Sequence, residues 1–222
     1  SWPIKNTKVI ADEIIKETRI GKIKITEDPL ELTAQINDLS FKWDKKSGFL
    51  SGVKNKNQQI QFINGPALAV GSAEFQELKN YADGSNQIIE CLYKGDFKKV
   101  KWTIQPSGWL KLEVLYKAPY ETKFMGISFN YPEDQVSGVR WMGYGPYRVW
   151  KNRMKGNTLN VWDKPYNNTI TGEKEWIYPE FKGYHRNFYW ATIQSKEQNF
   201  TIVCPDEDVF LRLFSPEKPA GA

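Results

Sequence analysis

Val100-Lys101-Trp102-Thr103-Ile104-Gln105-Pro106-Ser107-Gly108-Trp109-Leu110-Lys111-Leu112-Glu113-Val114-Leu115-Tyr116 is the stretch whose reading decides the fold class. Apolar side chains stand at Val100, Trp102 and Ile104, and again at Leu110, Leu112, Val114 and Tyr116. That period of two puts them on one face of an extended chain, whereas a helix needs spacings of three and four. Between the runs, Gln105-Pro106-Ser107-Gly108 supplies reversal chemistry: proline presets φ and glycine reaches backbone conformations closed to other residues. The stretch is a β-hairpin with one apolar and one polar face.

Working outward, the same alternation runs through Ile23 and Ile25, Leu32, Ala34 and Ile36, Leu39, Phe41 and Trp43, Ile60 and Phe62, and Ile89, Cys91 and Tyr93. It resumes at Ile127 and Phe129, then at Phe188, Trp190 and Thr192, at Phe200, Ile202 and Cys204, and at Val209, Leu211 and Leu213. About a dozen strands follow, separated by turn-forming clusters such as Lys45-Lys46-Ser47-Gly48 and Ala82-Asp83-Gly84-Ser85. Only Asp12 to Thr18 and Ala73 to Lys79 have helical spacing, too little for alternating strand and helix units. The reading is an all-β, antiparallel two-sheet sandwich. One segment, from Arg140 to Gly183, interrupts the alternation with many Gly, Pro, Asn, Tyr and Trp residues. A structureless stretch of that length inside a compact domain is usually functional or packed against something.

Composition narrows the function. The chain has 222 residues, enough for one large domain or two small ones, with 40% hydrophobic and 26% charged residues, as in a folded protein. The net charge of +5 arises from 31 basic and 26 acidic residues spread along the chain. The densest basic stretch, Lys94 to Lys101, is interleaved with Phe97 and Val100, so its lysines coat a strand's wet face and do not form a nucleic-acid groove. No run reaches the ~18 apolar residues of a membrane helix. Nine Trp and eleven Tyr point to packing between sheets or to stacking on sugars. Cys91 and Cys204 lie in apolar runs and read as buried free thiols. No Ser/His/Asp order, phosphate loop or metal-ligand spacing appears, so neither cofactor nor metal is expected.

Three blocks carry a family resemblance. Val139-Arg140-Trp141-Met142-Gly143-Tyr144-Gly145-Pro146-Tyr147-Arg148-Val149-Trp150-Lys151-Asn152-Arg153 resembles the V-x-W-x-G-x-G-P-x-E-x-Y-x-D-R signature of the C-terminal, small-chain domain of family 2 β-galactosidases. Tyr178-Pro179-Glu180-Phe181-Lys182-Gly183, with Trp190 seven residues on, is similar to that family's P-Q-E-x-G block. Leu39 to Leu50 resembles its opening hairpin. Arg148, Trp150, Asn152 and Tyr189 replace the family's Glu, Tyr, Asp and Arg, which rewrites the polar network of that surface.

The resemblance implies a large β-supersandwich of the galactose mutarotase-like kind. It also implies a parent glycoside hydrolase that degrades carbohydrate, exported or periplasmic, whose catalytic glutamates sit in a separate (β/α)8 barrel. Retaining glycosidases need two carboxylates about 5–5.5 Å apart. Here the nearest acidic groupings, Glu173 with Glu175 and Asp206-Glu207-Asp208, lie beside turn residues where solvated charge is the expectation. Residues 1–20 read as a linker or the end of a preceding domain, 21–215 as the β domain, and 216–222 as a truncated C-terminal linker.

The expected partners are carbohydrate and the other domains of the parent enzyme, with no nucleic acid and no membrane. Contact with a sugar or a neighbouring domain would fall to Trp141, Tyr144, Tyr147, Arg148, Trp150, Arg153, Trp162, Trp176, Tyr184, His185 and Arg186, which offer flat rings and planar donors. The bland reading of each ring is core packing, and Trp102 and Trp190 are read as core outright. Gly143 and Gly145 are read as turn glycines at positive φ, and the single histidine, His185, as a surface or sheet-edge residue. Two alternatives stand beside the module reading: an autonomous carbohydrate-binding module, and a mutarotase-like epimerase or lyase.

Overall fold

The computed structural model describes residues 5–15, 20–117, 121, 125–148, 155–167 and 181–214. It is all-β and antiparallel, with seventeen strands and one α-helix among the described residues. The chain divides into two compact units, Glu17–Tyr131 and a second made of Ser1–Lys16 with Pro132–Ala222.

Glu17–Tyr131 holds eleven strands. β1 (Lys24–Glu27), β2 (Glu31–Ile36), β3 (Leu39–Asp44), β4 (Leu50–Asn55), β5 (Gln58–Ile60) and β6 (Ile63–Leu68) are followed by β7 (Ala73–Asp83), β8 (Asn86–Gly95), β9 (Phe97–Ile104), β10 (Leu110–Tyr116) and β11 (Ile127–Asn130). One sheet runs β1-β2-β3-β4-β6-β11 with β5 on β4, and the other β10-β9-β8-β7. Alternation decides what each buries. Leu32, Ala34 and Ile36 of β2 and Phe41 and Trp43 of β3 form one core with Ile89 and Cys91 of β8 and Val100, Trp102 and Ile104 of β9. The unit is thus itself a two-sheet sandwich, its layers joined by the edge contact of Trp43 with Trp102, centroids 6.1 Å apart. Each such side chain, fully buried, contributes about 1.5–3 kcal/mol.

The outer face of β7 to β10 is polar in register. Glu113 lies opposite Lys101, Lys101 opposite Glu90, and Glu90 opposite Lys79. The basic stretch is thereby interleaved with carboxylates.

Two local readings are corrected here. Ala73 to Lys79 is strand, not helix: a β-bulge between Phe75 and Glu77 shifts the phase, leaving Phe75 and Leu78 three residues apart as in a helix. Among its described residues, the segment from Arg140 to Gly183 also holds strand, since β12 (Val136–Gly145) and β13 (Thr158–Pro165) pair from Gly138 opposite Pro165 to Gly145 opposite Thr158. Glycines on β12 have no side chain to mark the alternation.

The second unit continues with β14 (Gly183–Arg186), β15 (Trp190–Ser195), β16 (Phe200–Val203) and β17 (Phe210–Leu213). Its sheet runs β13-β12-β15-β16, and β14 pairs with β17 separately. Val139, Trp141, Phe181, Phe188, Ala191, Ile193 and Cys204 form its core. Trp190 is only half-buried, because alternation along β15 gives the core to Ala191 and Ile193. Helix α1 (Thr7–Ile14) belongs to this unit and lies earlier than the helical spacing suggests. Asn6 caps it by accepting the Val9 amide, and buried Thr7 donates its hydroxyl to the Pro205 carbonyl at 2.8 Å.

Candidate functional site

Two of the three family-like blocks, those around Trp141 and Gly183, fall in the second unit, while the opening hairpin of Leu39 to Leu50 lies in Glu17–Tyr131. Trp141, at the centre of β12, is fully buried and donates its indole N–H to the Tyr144 carbonyl at 3.3 Å. His185 lies against it on β14, only 1% exposed, with ring centroids 4.7 Å apart. This corrects the surface reading of the histidine. Period two along β14 sends Tyr184 and Arg186 outward and His185 inward. One imidazole nitrogen, Nε2, lies 3.2 Å from the Phe181 carbonyl, and Nδ1 has no hydrogen-bond partner among the described residues. Burial pulls the imidazole pKa down to about 4, and the charge on Lys164 pushes the same way.

Lys164 is a buried cation that sequence reading missed. It sits on β13, only 4% exposed, donates to the Pro146 carbonyl, and places Nζ 5.6 Å from the Trp141 ring centroid and 5.9 Å from that of Tyr147. Cation–π contacts of this kind strengthen when desolvated. Its signal was available, because Trp162 and Lys164 are two apart on a strand and must share a face.

The two motif glycines are needed for closeness, not for a turn. Neither has positive φ. A Cβ on Gly145 would lie 2.5 Å from the Trp162 ring nitrogen, and one on Gly143 would lie 3.0 Å from the Asn187 carbonyl oxygen. Trp162 uses the space to lie half-buried beside β12, donating Nε1–H to the Gly143 carbonyl at 3.2 Å. A turn glycine does occur in the opening hairpin, where Gly48 at φ +72° follows Asp44, whose carboxylate accepts the Lys46 amide.

The remaining candidates divide by exposure. Arg148 is half-buried and donates to the Lys182 carbonyl at 3.3 Å. Tyr147 is exposed. Tyr144, Tyr184 and Arg186 reach the surface, with the Arg186 guanidinium 5.8 Å from the Tyr144 ring. Trp150, Arg153 and Trp176 lie outside the described residues, as do Glu173 and Glu175. Beside Tyr184 and Arg186 the structure brings Phe210, Arg212 and Phe214, which the sequence did not single out. They are the off-phase residues of the run whose in-phase members, Val209, Leu211 and Leu213, read as core.

Chemically, this surface can stack on apolar ring faces and donate from planar groups. Among the described residues no three His, Cys, Asp or Glu side chains gather as metal ligands, and no described helix is long and apolar enough to cross a membrane.

Fold and surface together define an antiparallel β-sandwich module whose exposed chemistry is aromatic rings and guanidinium groups. The chain belongs to the beta-galactosidase small chain family, whose model matches residues 37–215. The matched span takes in β3 through β17 and leaves out α1, β1 and β2. No curated protein matches the chain.

Proposed function

We propose that this chain is the C-terminal module of a family 2 glycoside hydrolase acting in carbohydrate degradation. In this reading it is non-catalytic alone and supports the sugar site of a parent whose catalytic carboxylates lie in a separate (β/α)8 barrel. The module extends over residues 21–215. The observation that carries the reading is the family match over 37–215, a span whose described strands run from β3 to β17.

The acidic residues support a non-catalytic role. Asp206, Glu207 and Asp208, the acidic grouping that lies among the described residues, are all exposed on the loop between β16 and β17, whereas a retaining pair must flank a bound glycosidic bond. Burial of His185 weighs against the epimerase or lyase alternative. A proton-transferring base must come within hydrogen-bond reach of its substrate, and this ring is enclosed by Trp141, Phe181 and Lys164.

The test is deletion of residues 37–215 from the full parent polypeptide. A hydrolase that leans on this module for its sugar site loses β-galactoside turnover by a hundredfold or more, about 3 kcal/mol of transition-state stabilisation. Undiminished turnover rejects the supporting role.

A further inference from the structure

We propose that the outer face of the β14–β17 pair is a binding platform for a neutral oligosaccharide chain, with Phe210, Arg212 and Phe214 as its principal contacts. This goes beyond a role in supporting a barrel, because it gives the chain a ligand of its own.

The face is built by register. Tyr184 stands opposite Arg212 and Arg186 opposite Phe210, so rings occupy one diagonal of the ladder and guanidinium groups the other. Leu211, Leu213 and His185 occupy the inner face and belong to or abut the core, which fixes the platform from below. Phe210 is 43% exposed and Phe214 is 63% exposed. The Arg212 guanidinium lies 4.0 Å from the Phe214 ring and 5.5 Å from that of Tyr184, while Phe210 meets Tyr184 edge-on at 6.4 Å. Tyr144 adds a fourth ring beside Arg186. Such contacts order the side chains before any ligand arrives, which lowers the entropy lost on binding.

The chemistry selects the occupant. Rings take the apolar faces of pyranoses, and guanidinium groups donate to hydroxyls in a planar fork. Phe210 and Phe214 are four residues apart, about 13 Å along an extended chain, so the platform suits several sugar rings in a row and not a single one. Asp208, on the loop that leads into β17, lies 3.9 Å from Arg186, and Asp206 and Glu207 are exposed on the same loop. A polyanionic chain would meet the Asp208 carboxylate, whereas a neutral glycan can use it as a hydroxyl acceptor. Membership of a β-galactosidase family makes β-galactosyl chains the apt probe.

The experiment titrates β-1,4-linked galactobiose through galactopentaose into the 222-residue chain, following amide shifts by NMR and heat by calorimetry. Binding should tighten with chain length, shift Tyr184, Phe210 and Arg212, and weaken about fivefold in Phe210→Ala and in Phe214→Ala. Both side chains are exposed, so the variants should keep the native near-UV circular dichroism. Leu115→Ser, which removes an exposed apolar side chain from β10, should bind as the parent chain does. Absence of binding at all lengths, shifts confined to another surface, tighter binding of oligogalacturonate, or self-association through this face in place of sugar binding would each overturn the proposal. Failure here leaves the deletion test above untouched, since the two read different properties.

Discussion

The imidazole of His185 meets the indole of Trp141 edge-on, with centroids 4.7 Å apart and planes at 68°. The contact ties the β14–β17 pair to the four-stranded sheet through a group that can change charge.

That contact sets a pH dependence. The folded chain keeps His185 neutral down to about pH 4, whereas the unfolded chain protonates it near 6.5. Between those values the unfolded state binds more protons, so stability falls as pH falls, by about 3 kcal/mol in all. Urea denaturation at pH 7.5 and pH 4.5 should show this loss, and His185→Phe should flatten it. An unchanged slope in the variant would assign the acid sensitivity to other groups.

Gly145 is held to glycine by the Trp162 ring. Gly145→Ala must displace the indole and break its bond to the Gly143 carbonyl. Overpacking of this kind costs about 2 kcal/mol, readable as a lower urea midpoint with a blue- or red-shifted tryptophan emission. A midpoint equal to that of the parent chain would show that Trp162 has room to move.

Cysteine labelling tests both cores. Burial pushes the Cys91 thiol up to about 12, aided by the charge of Glu90, and burial also raises that of Cys204. Iodoacetamide at pH 8 should therefore modify neither thiol in the folded chain and both in urea. Rapid labelling of Cys91 before unfolding would contradict the sandwich core of Glu17–Tyr131.

Helix α1 should depend on two side chains. Asn6→Ala removes its N-cap, and Thr7→Val removes the bond to Pro205. Each should cost about 1 kcal/mol locally and raise amide exchange across residues 9–14 by about fivefold. Unaltered exchange would mean that Ala11 and its neighbours hold the helix without them.

Much of the fold is legible because side-chain period is a direct consequence of strand geometry. Trp43, Trp102, Leu32 and Ile104 declare their burial by alternation alone. The readings fail where a single residue shifts phase or carries no side chain. The bulge at Phe75 and Glu77 imitates a helix, and Gly143 and Gly145 hide β12. The surface is harder, because a ring's chemistry does not say which way it faces. Trp141 turns inward on β12, and on β14 His185 turns inward while Tyr184 and Arg186 turn outward; which face of each strand is the inner one follows only from what the strands pack against. Lys164 was missed because a lysine on an edge strand ordinarily faces water, and here it lies under Trp141 and Tyr147.

The central claim is that this module supports sugar chemistry it does not itself perform. Hydrolysis of a chromogenic β-galactoside by the purified 222-residue chain tests it most directly. The account predicts release of chromophore at the rate of the buffer blank, across pH 4.5 to 8. Sustained turnover that scales with the amount of chain and survives repurification would contradict it.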